Sequence, residues 1–201
     1  MKHFFYRITP ILIGLFCLIL TPALAQNNTI DSLSSRLHTA KQDSNKVNIL
    51  IQLGTENYPS DLKNAKVYAE EGLRLAKSLN FQFGIASGNF ILAKIQNKMN
   101  FPGEALLLYE KSLAIYGQKR NRAKMADILN NMGIIYKNQG KYLNALDAYE
   151  EAFNYYTSLN DQSGASKTLV NMGNLSKKLG NHKKAAEHYF TALQVFDSLG
   201  N

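Results

Sequence analysis

Ala126–Ala152, ADILNNMGIIYKNQGKYLNALDAYEEA, decides the fold, because its pattern returns forty residues later. Met132-Gly133 reappears as Met172-Gly173, Gly140 as Gly180, Ala145 as Ala185, Tyr149 as Tyr189 and Ala152 as Ala192. A single offset of 40 across five positions marks an internal repeat rather than an isolated helical hairpin, and fainter copies precede it by forty and eighty residues. Within the stretch, Ile128, Leu129, Met132, Ile135 and Tyr136 follow spacings of 1, 3, 3 and 1, one apolar stripe of a 3.6-residue helix. Gly133 lies on that stripe at a cost of roughly 1 kcal/mol against Ala, which implies that a neighbouring helix approaches closely there. Gly140 then ends the helix, being suited to the left-handed residue after a C-cap. In the following helix Ala145, Tyr149, Ala152 and Tyr156 stand at spacings of 4, 3 and 4. The small residues admit the partner helix and the rings fill the groove between its turns.

This order, apolar-Gly, aromatic, second Gly, then Ala, Tyr, Ala, resembles the tetratricopeptide repeat, a helix-turn-helix unit that stacks into a solenoid. The resemblance implies an all-α, right-handed α-solenoid of four such repeats, with a period of about 40 residues and an N-terminal lead-in helix. The expected boundaries are residues 46–80, 81–120, 121–160 and 161–201 for the repeats and 26–45 for the lead-in, where Ile30, Leu33 and Leu37 form a short apolar stripe. Ser44 can cap the helix that follows. The first repeat matches the third through Leu50 and Gly54 at an offset of 79 but through Ala65, Ala69 and Gly72 at 80, which places a one-residue loop change near Tyr58-Pro59-Ser60. Forty residues exceed the usual 34 of the family, and the excess fits an extended second helix and its connection.

Residues 1–25 read as a secretory signal peptide: Lys2 and Arg7 precede an apolar run from Ile8 to Leu20, and Ala23-x-Ala25 offers the small residues a signal peptidase requires. The run is too short to span a bilayer comfortably. Cleavage removes Cys17, the sole cysteine, so the mature chain has no disulfide chemistry, and lowers the formal net charge from +8 to +6 because Lys2 and Arg7 depart. Repeats of this length behind a signal peptide look like the extracytoplasmic sensory regions of bacterial two-component and transcription-regulator signalling proteins. By that resemblance the protein is exported, periplasmic or extracytoplasmic, and membrane-associated if the signal stays uncleaved.

The sequence offers no catalytic constellation. The histidines that survive cleavage, His38, His182 and His188, have no metal-ligand spacing, and no phosphate-binding or nucleophile-elbow motif is present. The adjacent pairs Glu70-Glu71 and Glu150-Glu151 diverge by about 100 degrees around a helix and cannot act on one bond. No enzyme activity, metal or cofactor is therefore expected. The basic cluster Lys119, Arg120, Arg122 and Lys124 sits at a helix start, where positive charge opposes the macrodipole. It reads as a solvated linker or as a docking site for an acidic surface or anionic lipid; export and the lack of interleaved aromatics argue against nucleic acid.

By resemblance to the family, ligands lie along the face that first helices turn inward. The positions concerned are Phe90, Lys94 and Lys98 in the second repeat; Asn130, Asn131 and Lys137 in the third; and Lys167, Asn171, Asn174 and Lys177 in the fourth. Lys supplies charge for a carboxylate and Asn both donates to and accepts from a peptide backbone, so a protein or peptide that is acidic or carboxylate-bearing is the expected partner. Some family members hold a C-terminal carboxylate with a five-residue clamp. Asn131 and Lys167 match it here, whereas Phe90, Lys94 and Asn171 replace its Lys, Asn and Arg. The rival reading is a structural packing module of an envelope assembly. Finally, the last helix carries Ala185, Tyr189, Ala192, Leu193, Phe196 and Leu199 as an apolar stripe with few residues after it. That predicts self-association through this end, or a longer sensor whose next repeat covers it and whose output domain is missing here.

Overall fold

The computed structural model describes residues 28–199, and every regular element among them is helical. The expected signal peptide, residues 1–25, lies outside the described residues. The helices are α1 (residues 28–39), α2 (Ser44–Asn57), α3 (Leu62–Ser78), α4 (Gln82–Lys98), α5 (Pro102–Gln118), α6 (Arg122–Asn138), α7 (Tyr142–Ser158), α8 (Gln162–Lys178) and α9 (His182–Leu199). Among the described residues they fall into two compact units, residues 28–79 and 80–199.

In the first unit α2 and α3 form a hairpin, and α1 covers it by setting Leu33 against Ile49 and Leu53, with Ile30, Leu37 and Tyr68 alongside. The cap of α2 is Asp43 rather than Ser44: its carboxylate accepts the Asn45 and Lys46 amides at 2.9 and 3.1 Å. Both types cap well, and the carboxylate one residue earlier is the one that reaches the open amides. After Gly54, α2 ends two residues sooner than α6 does after Gly133, and the turn from Tyr58 to Asp61 restores only one of them with four residues where the later turns have three, which is the source of the changed offset. At Gly54 an added Cβ would lie 3.2 Å from the Ala65 carbonyl and 3.3 Å from the Ala69 methyl, so here helix backbones do approach closely.

The second unit contains three hairpins, α4–α5, α6–α7 and α8–α9; they join through α5 on α6 and α7 on α8, and the first helices α4, α6 and α8 touch in series. Each of α4 through α8 is 17 residues long, so the surplus over the usual repeat is shared by both helices, not concentrated in the second. One turn geometry enforces this. Asn100, Arg120, Gly140, Asn160 and Gly180, spaced by twenty, all have positive φ between 52° and 77°. At each, the next residue's amide reaches back five residues, as from Phe101 to the Gln96 carbonyl (2.8 Å) and from Lys141 to that of Tyr136 (2.9 Å). This is the Schellman closure, which satisfies the last carbonyls of a helix and leaves a left-handed residue after it. Inside the stack, Tyr109 and Tyr149 are fully buried among Ile128, Ile135, Met132 and Leu175. Gly133 makes room for a ring rather than for helix backbone: an added Cβ would stand 2.5 Å from Tyr149 Cε1, and Gly173 repeats the arrangement with Tyr189.

Candidate functional site

Positions 87, 127 and 167 form one row across α4, α6 and α8; positions 90, 130 and 170 form the next. Their chemistry differs along each row, and the structure links them into one polar surface. At the α4–α6 end, Phe90 packs on Tyr109 with ring centroids 5.9 Å apart, and the ammonium groups of Lys94 and Lys124 lie 5.9 and 5.5 Å from the Phe90 ring. Cations over an aromatic face are attracted by its quadrupole. Lys124 also donates to Asp127 Oδ2 at 3.1 Å, while Asp127 Oδ1 accepts the Tyr156 hydroxyl at 2.9 Å.

Burial holds the Lys94 amine below its ordinary pKa; Asp127 partly offsets this, and Lys124 and Lys98 add to it. A partly desolvated ammonium favours a carboxylate that replaces its lost water. Burial, and then Asp127, push the Tyr156 phenol far above its ordinary range, so it remains a hydrogen-bond donor.

Towards α8 the surface opens into a cleft of about 230 Å³ lined by Asp127, Asn130, Asn131, Tyr156, Asp161, Ser163, Gly164 and Lys167. Gly164 is required there because an added Cβ would stand 2.3 Å from Tyr156 Cδ1. Of the residues picked out in the sequence, Asn130, Asn131 and Lys167 line this cleft, while Phe90 and Lys94 gather beside it. Several amides are already engaged within the chain. Asn171 Nδ2 donates to Asn130 Oδ1 at 3.0 Å and Thr168 Oγ1 to the same oxygen at 3.3 Å, tying α8 to α6. Asn131 Nδ2 donates to the Asp127 carbonyl at 2.7 Å, and Asn174 Oδ1 accepts the Tyr189 hydroxyl at 2.8 Å. Lys98, Lys137 and Lys177 occupy the last turns of α4, α6 and α8, where their charge also complements the helix dipole.

Sequence reasoning missed Tyr156, Asp161, Ser163 and Gly164 as lining residues and Lys124 as a partner of Asp127. One signal was available. Tyr116 and Tyr156 are forty apart, and each hydroxyl meets the residue 29 positions earlier, Ser87 at 2.8 Å and Asp127 at 2.9 Å.

The architecture is shared with solved structures of low sequence identity. BtubC from P. vanneervenii superposes with a TM-score of 0.74 at 20% identity, covering 84% of this chain and 72% of that one. Aspartyl phosphate phosphatase F from Bacillus subtilis gives 0.75 at 16% identity, over 83% of this chain and 44% of the phosphatase. A signal transduction ATPase with numerous domains from Pyrococcus horikoshii, described as carrying a tetratricopeptide repeat sensor, gives 0.73 at 20% identity, over 83% of this chain and 26% of that protein. This chain thus spans less than half of the last two proteins. No curated protein matches it in sequence. The family profile described as soluble NSF attachment protein, SNAP, matches residues 76–196, more than half of the chain. With hairpin repeats whose Gly, Ala and Tyr positions recur at forty residues, and with that match, the chain is a tetratricopeptide-repeat protein and belongs to the soluble NSF attachment protein, SNAP, family.

Proposed function

We propose that this chain is a non-catalytic scaffold that binds a protein or peptide along α4, α6 and α8, and that it serves as the exported interaction or sensory part of a signalling system. The observation that carries the reading is the polar cleft between Tyr156 and Lys167, open beside the partly desolvated Lys94. A cleft with Lys donors and amide groups at intervals along stacked helices suits an extended acidic segment. Because Asn130, Asn171 and Asn174 are bonded internally, the lysines provide most of the ligand contacts and the amides hold the surface in shape.

Reversing charge at Lys94, Lys137, Lys167 and Lys177 is expected to weaken capture of an envelope partner, more at low than at high ionic strength, since exposed charges are screened. Equal loss on reversing Glu70 and Glu71 would place the binding surface elsewhere. Export rests on the composition of residues 1–25 and is tested by intact mass: the secreted product should begin at Gln26, whereas retention of Met1 on a membrane-bound chain would replace secretion by anchoring. The packing-module reading is favoured by one feature, the outward Phe190, Leu193 and Phe196 on α9, which are 62%, 55% and 41% exposed. Under it the chain associates through that helix.

A further inference from the structure

Two clefts on the second unit are copies of one another. One, of about 310 Å³, is lined by Gly117, Arg120, Arg122, Met125 and Tyr155, at the turn between α5 and α6 and the end of α7. The other, of about 240 Å³, includes Thr157, Asn160, Gln162, Ala165 and Val195 in its lining. Advancing each residue of the first by forty gives these five of the second. The equal helices and repeated turns therefore make the hollow in both places, and only the side chains distinguish them. At the α7–α8 turn these five positions carry no charge and the remaining lining includes the Asp161 carboxylate; at the α5–α6 turn two guanidinium groups and a phenol occupy the same positions.

Arg120 is a costly residue for its place. It adopts φ 52°, where the other four turns of this unit carry Asn or Gly, and a residue other than Gly or Asn costs about 1–2 kcal/mol in that region. The cluster seen in the sequence is also divided by the fold. Lys124 turns to Asp127, while Arg120 and Arg122 are exposed and join neither of the ion pairs among the described residues, Lys66–Glu70 and Lys124–Asp127. Across the cleft, burial, then a hydrogen bond to Glu151 and its charge, raise the pKa of the Tyr155 phenol, while Arg122 lowers it. The Tyr155 hydroxyl is thus held by Glu151, and what Tyr155 offers the cleft is its ring.

We propose that this cleft is an anion-binding site that receives acidic side chains of a protein partner, separate from the groove along α4, α6 and α8. Guanidinium forks match carboxylates in bidentate fashion, and Met125 with the Tyr155 ring offers an apolar seat for the stem of a glutamate. A recessed cleft with two arginines admits single acidic side chains better than the broad, flat charge of an anionic bilayer.

The test exploits the duplicate. Substituting Arg120→Asn and Arg122→Gln gives the first cleft the side chains that the second already carries on the same turn geometry. The probe is a fluorescein-labelled hexaglutamate peptide at low ionic strength, with inorganic phosphate and phosphatidylserine vesicles in parallel arms. The full chain should bind the peptide, the double variant should bind it at least tenfold more weakly with an unchanged or raised melting temperature, and Asn160→Arg with Asp161→Asn and Gln162→Arg should add a second site. The proposal is overturned if wild type ignores the peptide, if the double variant binds it equally, or if only phosphate or vesicles bind in an arginine-dependent way. Loss confined to Lys94→Glu and Lys167→Glu would assign the peptide to the groove and overturn it too.

Discussion

Tyr149 and Tyr156 stand seven residues apart on α7, and their hydroxyls meet opposite circumstances. The Tyr149 hydroxyl is buried without a hydrogen-bond partner. Forty residues later Tyr189 donates to Asn174, but the residue at that register position in α6 is Ile134, which offers no acceptor. Tyr149→Phe should therefore leave stability unchanged or raise it by about 1 kcal/mol, whereas Tyr156→Phe, which removes a bond to a carboxylate, should lower it by about 1.5–3 kcal/mol. Urea midpoints compared at constant slope decide this. Both phenols are pushed well above their ordinary range by burial, so neither ionises near neutral pH to blur the comparison. His188 adds a pH dependence. Burial and Lys184 depress its folded pKa below the unfolded value of 6.5, with Glu187 and Glu150 opposing them. The unfolded chain then binds more protons below that value, so stability present above about pH 6.5 should fall as pH drops through the folded pKa. His188→Gln should flatten that acid limb in thermal melts between pH 5 and 7. Among single residues, those with a packing role were readable because periodicity exposes them: Ala145, Tyr149 and Gly133 sit where the stripe demands. The partner of a side chain across helices was not, since nothing in the one-dimensional pattern joins Asn171 to Asn130.

At the level of helices and turns, the equal 17-residue lengths were hidden for a definable reason. The conspicuous residues, Gly133 and Ala145, lie on either side of one turn, and the far ends of both helices carry no comparable mark. The series Asn80, Asn100, Gly140, Asn160 and Gly180 does punctuate the chain every twenty residues, but Arg120 breaks it and concealed the period. It follows that Arg120→Asn alone should stabilise the chain by up to about 1 kcal/mol, since Asn tolerates the left-handed region. A rise in melting temperature of a few degrees would register it. In the opposite sense, Ala145→Leu should cost about 1–3 kcal/mol, because Ala145 is fully buried where α7 meets Met172 and Leu175 of α8. A substitution there that left the urea midpoint unmoved would show that this contact is looser than its burial implies.

For the molecule as a whole, repetition made the fold class readable, while the identity of the partner is not written in lysines and amides that also serve helix ends and helix contacts. The C-terminal face illustrates how the register can nevertheless be used. Leu193 and Phe196 correspond to Phe153 and Tyr156, which α8 covers with Ala165 and Gly164. Among the described residues Leu193 and Phe196 stay exposed. If this face mediates self-association, Leu193→Lys with Phe196→Lys should shift sedimentation towards monomer at high protein concentration without loss of helicity. A wild-type chain already monomeric under those conditions would refute the association.

The identical turns have a further consequence. A backbone that bends the same way every twenty residues cannot tell a first helix from a second: as far as its turns are concerned, the chain could be out of phase by half a unit and not sense the error. Parity must then be carried by side chains. Gly133 and Gly173 lie in the first helices of their hairpins, α6 and α8, and admit the rings of Tyr149 and Tyr189 from the second, α7 and α9, at a separation no Cβ could tolerate undisturbed. Exchange of those roles in one hairpin, glycine for tyrosine and tyrosine for glycine, would keep composition and turn geometry yet leave that hairpin antiphase to its neighbours.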